Sequence, residues 1–218
     1  MKEFPFESRK KPNIKYLGVT SWLNKFEEEF IPLEVATKVS KNPRSEYYEL
    51  DPQKIVKMWE LTGKRGTKKH QEIEKWLKKE TETCEFANDL YQKLDIHPDN
   101  SWAEIKVHSD NLQLSGIIDI IQGENNTYYV HDIKTFKKVT QDKIDKTTKQ
   151  ILIYCVMLDE VINDKNIKIR PGKIINLQPV ANISEKINLK FKKPEIIDIN
   201  RYLFPQLSEM IDERFNEI

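Results

Sequence analysis

Residues 114–136, LSGIIDIIQGENNTYYVHDIKTF, constrain the fold of this chain more than any other stretch. Ile117, Ile118, Ile120 and Ile121 are strand formers, as are Tyr128, Tyr129 and Val130, and Gly123 to Asn126 supply turn chemistry between them. The pattern predicts a β-hairpin. Yet Asp119, Asp132 and Lys134 sit inside its two apolar runs, where an unpaired charge is costly. A hairpin built this way must give those three charges partners.

The chain has 218 residues, enough for one sizeable α/β core. Its net charge of +1, from 36 Lys+Arg against 35 Asp+Glu, excludes a uniformly basic nucleic-acid coat but allows a local basic groove. Cys84 and Cys155 lie far apart with no CxxC, so a disulfide scaffold, a Cys-rich zinc site and a four-cysteine iron–sulfur cluster are unsupported. The compartment reads as reducing, and Cys155, inside ILIYCVML, reads as core packing. The first fifteen residues hold no apolar h-region and so no secretion signal. No apolar run approaches ~18 residues, so no membrane span is expected. The expected location is intracellular, cytoplasmic or nucleoid-associated.

Residues 1–15 read as a flexible N-terminal arm and residues 16–218 as a single domain. Trp22, Phe26 and Phe30 at helical spacing predict a short helix capped by Thr20 or Ser21. Asp51 and Pro52 open a helix with Ile55, Met58, Trp59 and Leu61 on one face. Gly63 and Gly66 are expected to interrupt it, with Thr67 capping a new helix in which His70, Ile73 and Leu77 share a stripe. Two strands follow around Ser109 to Asn111, then the hairpin partner as far as Phe136. A long amphipathic helix carries Gln150 and Tyr154. Strands are expected over residues 166–179 and 186–193, and last a C-terminal helix interrupted at Pro205. The order α, α, β, β, β, α, β, β, α predicts an α/β fold with a central mixed sheet flanked by helices.

Alternation along a strand puts Asp132 and Lys134 on one face and Ile133 on the other. The turn sets Asp119 opposite or diagonal to Asp132, depending on register. Two carboxylates so placed repel unless one takes a proton or a cation sits between them. A hard divalent cation such as Mg²⁺ suits that position, with Lys134 free to neutralise charge developing on a phosphate. The plainer alternative is a salt bridge from Asp119 to Lys134 at a sheet end, and the tripeptide D-x-K alone does not decide between them.

More pieces flank the hairpin: Gly66-Thr67, His70 and Glu74, then Glu104, Gly116 before Asp119, Thr135 after Lys134, and Gln150 with Tyr154. The series GT-x-x-H-x-x-x-E, G-x-x-D, D-x-K-T and Q-x-x-x-Y resembles the RecB-like branch of the PD-(D/E)XK nuclease superfamily. Its small phage-type members, related to the mitochondrial genome-maintenance exonuclease, also have a lead-in similar to VTSWLNKF. The chain departs from the superfamily's name, with Ile118 where a proline would stand before Asp119. The cysteines of the iron–sulfur members and any helicase P-loop are missing, so a helicase or recombination partner would be a separate chain.

The resemblance implies a restriction-endonuclease-like core and a Mg²⁺ or Mn²⁺ cofactor. It implies His70, Asp119, Asp132 and the Ile133 backbone carbonyl as metal ligands. Lys134 would serve the nucleophilic water, while Gln150 and Tyr154 steady Lys134, the site or the DNA backbone. Glu104 matches an acid often found ahead of the G-x-x-D strand, with a surface acid as the alternative. Glu74 is either a support for the ligands or an exposed partner of Lys78. The implied activity is a metal-dependent deoxyribonuclease, an exonuclease on single-stranded DNA ends or flaps in recombination, repair or replication, with a phage origin fitting the likeness. The rivals are a structure- or sequence-specific endonuclease and a non-catalytic DNA-binding protein that keeps the fold. Trp22, Trp59, Trp76 and Trp102 are the aromatic candidates for base stacking, although Trp59, at helical spacing, reads as core.

Overall fold

The computed structural model describes residues 3–6, 8–27, 30–179 and 191–218. Along them run β1 (Leu17–Gly18), α1 (Val19–Leu23), α2 (Pro32–Ser40), α3 (Pro52–Leu77) and α4 (Ala87–Leu94). Then come β2 (Ser101–Ser109), β3 (Leu114–Glu124), β4 (Thr127–Lys134), α5 (Gln141–Ile162), β5 (Lys168–Asn176), β6 (Glu195–Ile197) and α6 (Phe204–Glu217). The strands form one mixed sheet with helices on both faces, the architecture expected from the hydrophobic patterning.

The hairpin folds as its residues dictate. Asn125 and Asn126 both take positive φ, 45° and 59°, the two-residue turn whose twist matches antiparallel strands. β3 carries β2 along one edge. On its other edge β1 pairs in parallel with Leu114 and Ser115, and β4 pairs antiparallel from Ile120 onward. Between those two partners, Gly116 to Asp119 have no strand on that edge among the described residues. β5 lies parallel to β4 and antiparallel to β6.

One apolar cluster lies where α1, α5 and α6 cover the sheet, with Trp22, Ile118, Ile121, Val130 and Leu152 buried in it. A second, with Ile73, Trp76, Leu90, Ile120, Ile133 and Ile175, lies under α3 and α4. Cys155 is buried in the first. Each fully buried side chain of this size contributes ~1.5–3 kcal/mol relative to an exposed one. The N-terminal residues lie along the outer strand: Phe4 meets the rings of Trp102 and Tyr128, and the His108 N–H donates to Ser8 Oγ at 2.8 Å.

Several local expectations are corrected. Gly63 and Gly66 do not break the helix, because α3 runs unbroken through both. Gly66 is a packing residue: a Cβ there would lie 2.6 Å from Thr135 Oγ1. Thr67 is no cap, since its hydroxyl donates back to the Gly63 carbonyl at 3.3 Å. Asp51 does cap α3, accepting the Gln53 N–H at 2.9 Å, but Leu61 is exposed. α1 is capped at Gly18 rather than Thr20 or Ser21 and ends at Leu23, short of Phe26 and Phe30. Pro205 stands in the first turn of α6, where its missing N–H costs nothing, instead of interrupting a helix. α4 was not anticipated from sequence, because it is short and buries only Leu90. The strand expected over residues 186–193 lies mostly outside the described residues; Phe191 bridges Pro179.

His131, given no role from sequence, shapes the sheet beside the acids. Its Nδ1 accepts the Lys173 N–H at 3.1 Å and its Nε2 faces Gln122 Oε1 at 3.2 Å. The ring fills the space over Gly172, and the β4–β5 register shifts between Val130 and Asp132. Burial holds its imidazole neutral, with a pKa pushed down to about 3.

Candidate active site at a fork in the sheet

The β3–β4 ladder stops at Ile120 and His131. One step further the same register would set Asp119 against Asp132. There Asp119 Oδ2 accepts the Ile133 N–H at 2.7 Å, a carboxylate standing where a carbonyl would close the ladder. On the other side, Ala103 pairs with Ile120 and Ile105 with Ile118, but Glu104 between them drops out. Glu104 has a φ of +55°, a left-handed conformation inside a strand. Such strain costs ~1–3 kcal/mol and persists only where the surroundings over-determine it. The strands part where the acids gather.

α3 brings the imidazole. Trp59, Gly66, His70 and Ile73 recur at helical spacing, so the face that packs Gly66 on Thr135 also turns His70 toward the fork. His70 Nδ1 lies 3.7 Å from Asp119 Oδ2. Among the described residues, His70, Glu104 and Asp119 offer ligand atoms that all lie within 4.8 Å of one another.

The electrostatics favour a cation there. Burial lowers the His70 pKa, leaving a neutral ring with a lone pair to donate. Burial pushes Asp119 up to about 6, opposed by Lys134, and raises Glu104, with the Glu74 charge adding to it. Of the two roles foreseen for Glu74, the ion pair with Lys78 forms, half-buried rather than exposed. Each acid is costly to ionise by itself, and a divalent charge would reverse that cost. One imidazole nitrogen and two carboxylates are donors that Mn²⁺ or Mg²⁺ accepts. We expect His70→Ala to weaken Mg²⁺ binding, with activity recovering at high Mg²⁺ or in Mn²⁺. A drop in melting temperature with unchanged metal dependence would make His70 a core histidine instead.

Asp132 lies beside this group, not within it. Its carboxylate is buried, and Lys134 Nζ sits 2.7 Å from its Oδ2. Beyond that ammonium, Oδ2 has no hydrogen-bond partner among the described residues. Asp132 is also pushed up to about 6, by burial first and then, against the pull of Lys134, by Asp119. The expected alternative, a salt bridge from Asp119 to Lys134, is not the pair that forms. The Ile133 contact to the acids runs through its N–H.

Gln150 and Tyr154 reach the site from α5. Lys134 Nζ donates to Gln150 Oε1 at 3.2 Å, and Gln150 Nε2 donates to the Tyr154 hydroxyl at 3.4 Å. Tyr154 rests on Gly116, where a Cβ would stand 2.5 Å from the ring edge. Gly116→Ala is therefore expected to push the ring off its seat, loosen Gln150 from Lys134 and lower the melting temperature. Normal stability and activity in that variant would show that the contact yields easily.

Sequence reasoning missed Asn176. It is fully buried on β5, accepts the Phe136 N–H at 2.8 Å and donates to the Phe136 carbonyl at 3.3 Å. The clamp fixes the chain just as it leaves Lys134. No local signal marks it, because its partner is forty residues away. Of the four tryptophans, Trp22, Trp76 and Trp102 are buried and offer no stacking surface, whereas Trp59, read as core, is only half-buried.

No described helix is long and apolar enough to cross a membrane. A search of curated proteins returns no match. The family model for the PD-(D/E)XK nuclease superfamily matches residues 23–216, from the end of α1 into α6. A match over most of the chain shows the family: the chain belongs to the PD-(D/E)XK nuclease superfamily.

Proposed function

We propose that the protein is a Mg²⁺- or Mn²⁺-dependent deoxyribonuclease of the RecB-like branch, acting as an exonuclease on single-stranded DNA ends or flaps. The observation that carries this reading is the meeting of His70, Glu104 and Asp119 within 4.8 Å, beside the Asp132–Lys134 pair. The branch assignment is supported by the order and spacing of the four motifs.

His70, Glu104 and Asp119 would hold the cation, and Asp132 and the Ile133 carbonyl would complete its surroundings. The buried Asp132 Oδ2, with no partner beyond the Lys134 ammonium among the described residues, is the structural reason to include it. Held by these residues, a divalent ion would supply polarisation of the phosphate and a more acidic water. The residues of the chain do the rest. Burial lowers the Lys134 pKa, but Asp132 and Asp119 outweigh it and hold the ammonium above its ordinary value. Lys134 therefore keeps its proton and works as a fixed positive charge for the attacking water and the developing phosphorane. Gln150, tied to Tyr154, sets the direction of that ammonium. The cellular setting we propose is recombination, repair or replication, inside the cell or in phage growth, with unwinding supplied by a separate helicase or recombination partner.

Incubation with end-labelled linear single strands, duplex and circular single strands, each with Mg²⁺, Mn²⁺ or chelator, tests the reading. Metal-dependent loss of linear single strands with circles spared is the expected result. Cleavage of circles would make the enzyme an endonuclease. Binding without cleavage in every metal would leave a DNA-binding protein on a nuclease fold.

A further inference from the structure

We propose that Phe30, Trp59 and Tyr47 form a stacking platform for the unpaired bases of the strand whose phosphate reaches the fork. This rests on the nuclease reading above and adds to it a site that selects single strands. Phe30 and Trp59 lie with ring centroids 6.0 Å apart and tilted by 44°, and Tyr47 meets Trp59 edge-on at 5.9 Å. A structural clasp would bury its outer ring, but Phe30 is 62% exposed. The row is open at its end.

Its position relates it to nucleic acid. Trp59 and His70 are eleven residues apart on α3, about three full turns, so they share one face about 16 Å apart along the helix. Gly66, between them on that face, packs on Thr135, next to Lys134. The other end of the row also returns to this strand: Lys137, three residues beyond Lys134, holds its ammonium 5.8 Å from the centre of the Tyr47 ring and pairs with Glu46. A strand with a phosphate at the fork would therefore run past a lysine toward open aromatic faces. Aromatic rings in a row with a cation at one end suit a single strand, because its bases expose π-faces that a duplex keeps stacked.

The test measures binding of the full chain in chelator, where cleavage is silent. Anisotropy of a labelled oligo-dT gives the affinity of wild type, Phe30→Ala and Trp59→Leu, with a duplex of equal length as the comparison. Each variant is expected to bind the single strand about tenfold more weakly, with duplex affinity unchanged. Oligo-dT should also quench wild-type tryptophan fluorescence, since Trp22, Trp76 and Trp102 are buried and Trp59 is not. Phe30→Ala guards against misfolding, because an exposed ring contributes little to the melting temperature. Unchanged affinity in a folded Phe30→Ala, or equal loss for single strand and duplex, overturns the platform. So does a concentration-dependent dimer that Phe30→Ala abolishes, which would assign the row to a second copy. Hydrolysis of bis(p-nitrophenyl) phosphate by the wild type with Mn²⁺ probes the fork alone, because that diester is too short to reach Trp59. Its failure would remove the nuclease reading and leave the binding result standing, whereas weak binding with intact hydrolysis removes only the platform.

Discussion

Lys134→Ala is expected to lower cleavage by about a hundredfold to ten-thousandfold, the range for removing a charged group aimed at the reacting centre. The structure adds a consequence for stability. Lys134 is the counter-charge of the buried Asp132, at 2.7 Å. Without it, an ionised Asp132 in the metal-free protein loses its ion-pair partner and keeps the repulsion of Asp119, and breaking such a pair costs up to about 3–5 kcal/mol. The loss depends on pH with a definite sign. Asp132 already titrates near 6 in the folded chain, above its ordinary 3.8, and removing Lys134 raises that further. Below about pH 6 the carboxyl is neutral in both folded proteins and the variant is nearly as stable as wild type; above it only the wild type has an ammonium to offset the charge, so the gap opens. Metal-free Lys134→Ala should therefore melt well below wild type at pH 7.5 and close to it at pH 5, with Mn²⁺ restoring stability but not activity. Cleavage at the wild-type rate would reduce the D-x-K motif to coincidence.

Asp119→Asn and Asp132→Asn should both be inactive and both lose the stabilisation that Mg²⁺ gives wild type, yet differ in sign without metal. Burial raises Asp119 from 3.8 to about 6, so the folded state holds its proton more tightly than the unfolded chain. The stability this provides is complete below about pH 4 and is lost as pH rises through about 6. At pH 7.5 the ionised group costs free energy. Asn cannot ionise, and its carbonyl oxygen can still accept the Ile133 N–H, so metal-free Asp119→Asn should be more stable than wild type by ~1–3 kcal/mol. Asp132→Asn removes the same kind of buried charge but strips Lys134 of its partner, so no gain follows and a loss is expected. Melting curves of the three proteins at pH 7.5, with and without Mg²⁺, decide it. If Asp119→Asn is the less stable protein and Mg²⁺ shifts all three alike, Asp119 is a structural acid and the metal lies elsewhere.

Much of the fold and part of the site are determined by sequence alone, because they depend on neighbours along the chain. The two-residue Asn turn, the alternation that puts Asp132 and Lys134 on one face, the Asp51-Pro52 start of α3 and the apolar run inside α5 follow from turn chemistry, strand period and capping. Those rules bring Asp119 and Asp132 to one end of the hairpin. They do not say which acid Lys134 meets, and the tertiary structure chose Asp132. Nor do they show that Gly66 continues a helix, since the hydroxyl occupying its missing Cβ belongs to Thr135, on another element. Glu104 is an even choice from sequence between ligand and surface acid; its left-handed backbone and its meeting with His70 and Asp119 are marked by no local pattern. Propensity, period and caps are set within a few residues and can be read from the string, whereas the burial of a charge, and the choice among partners within its reach, depend on groups dozens of residues away that only packing brings together.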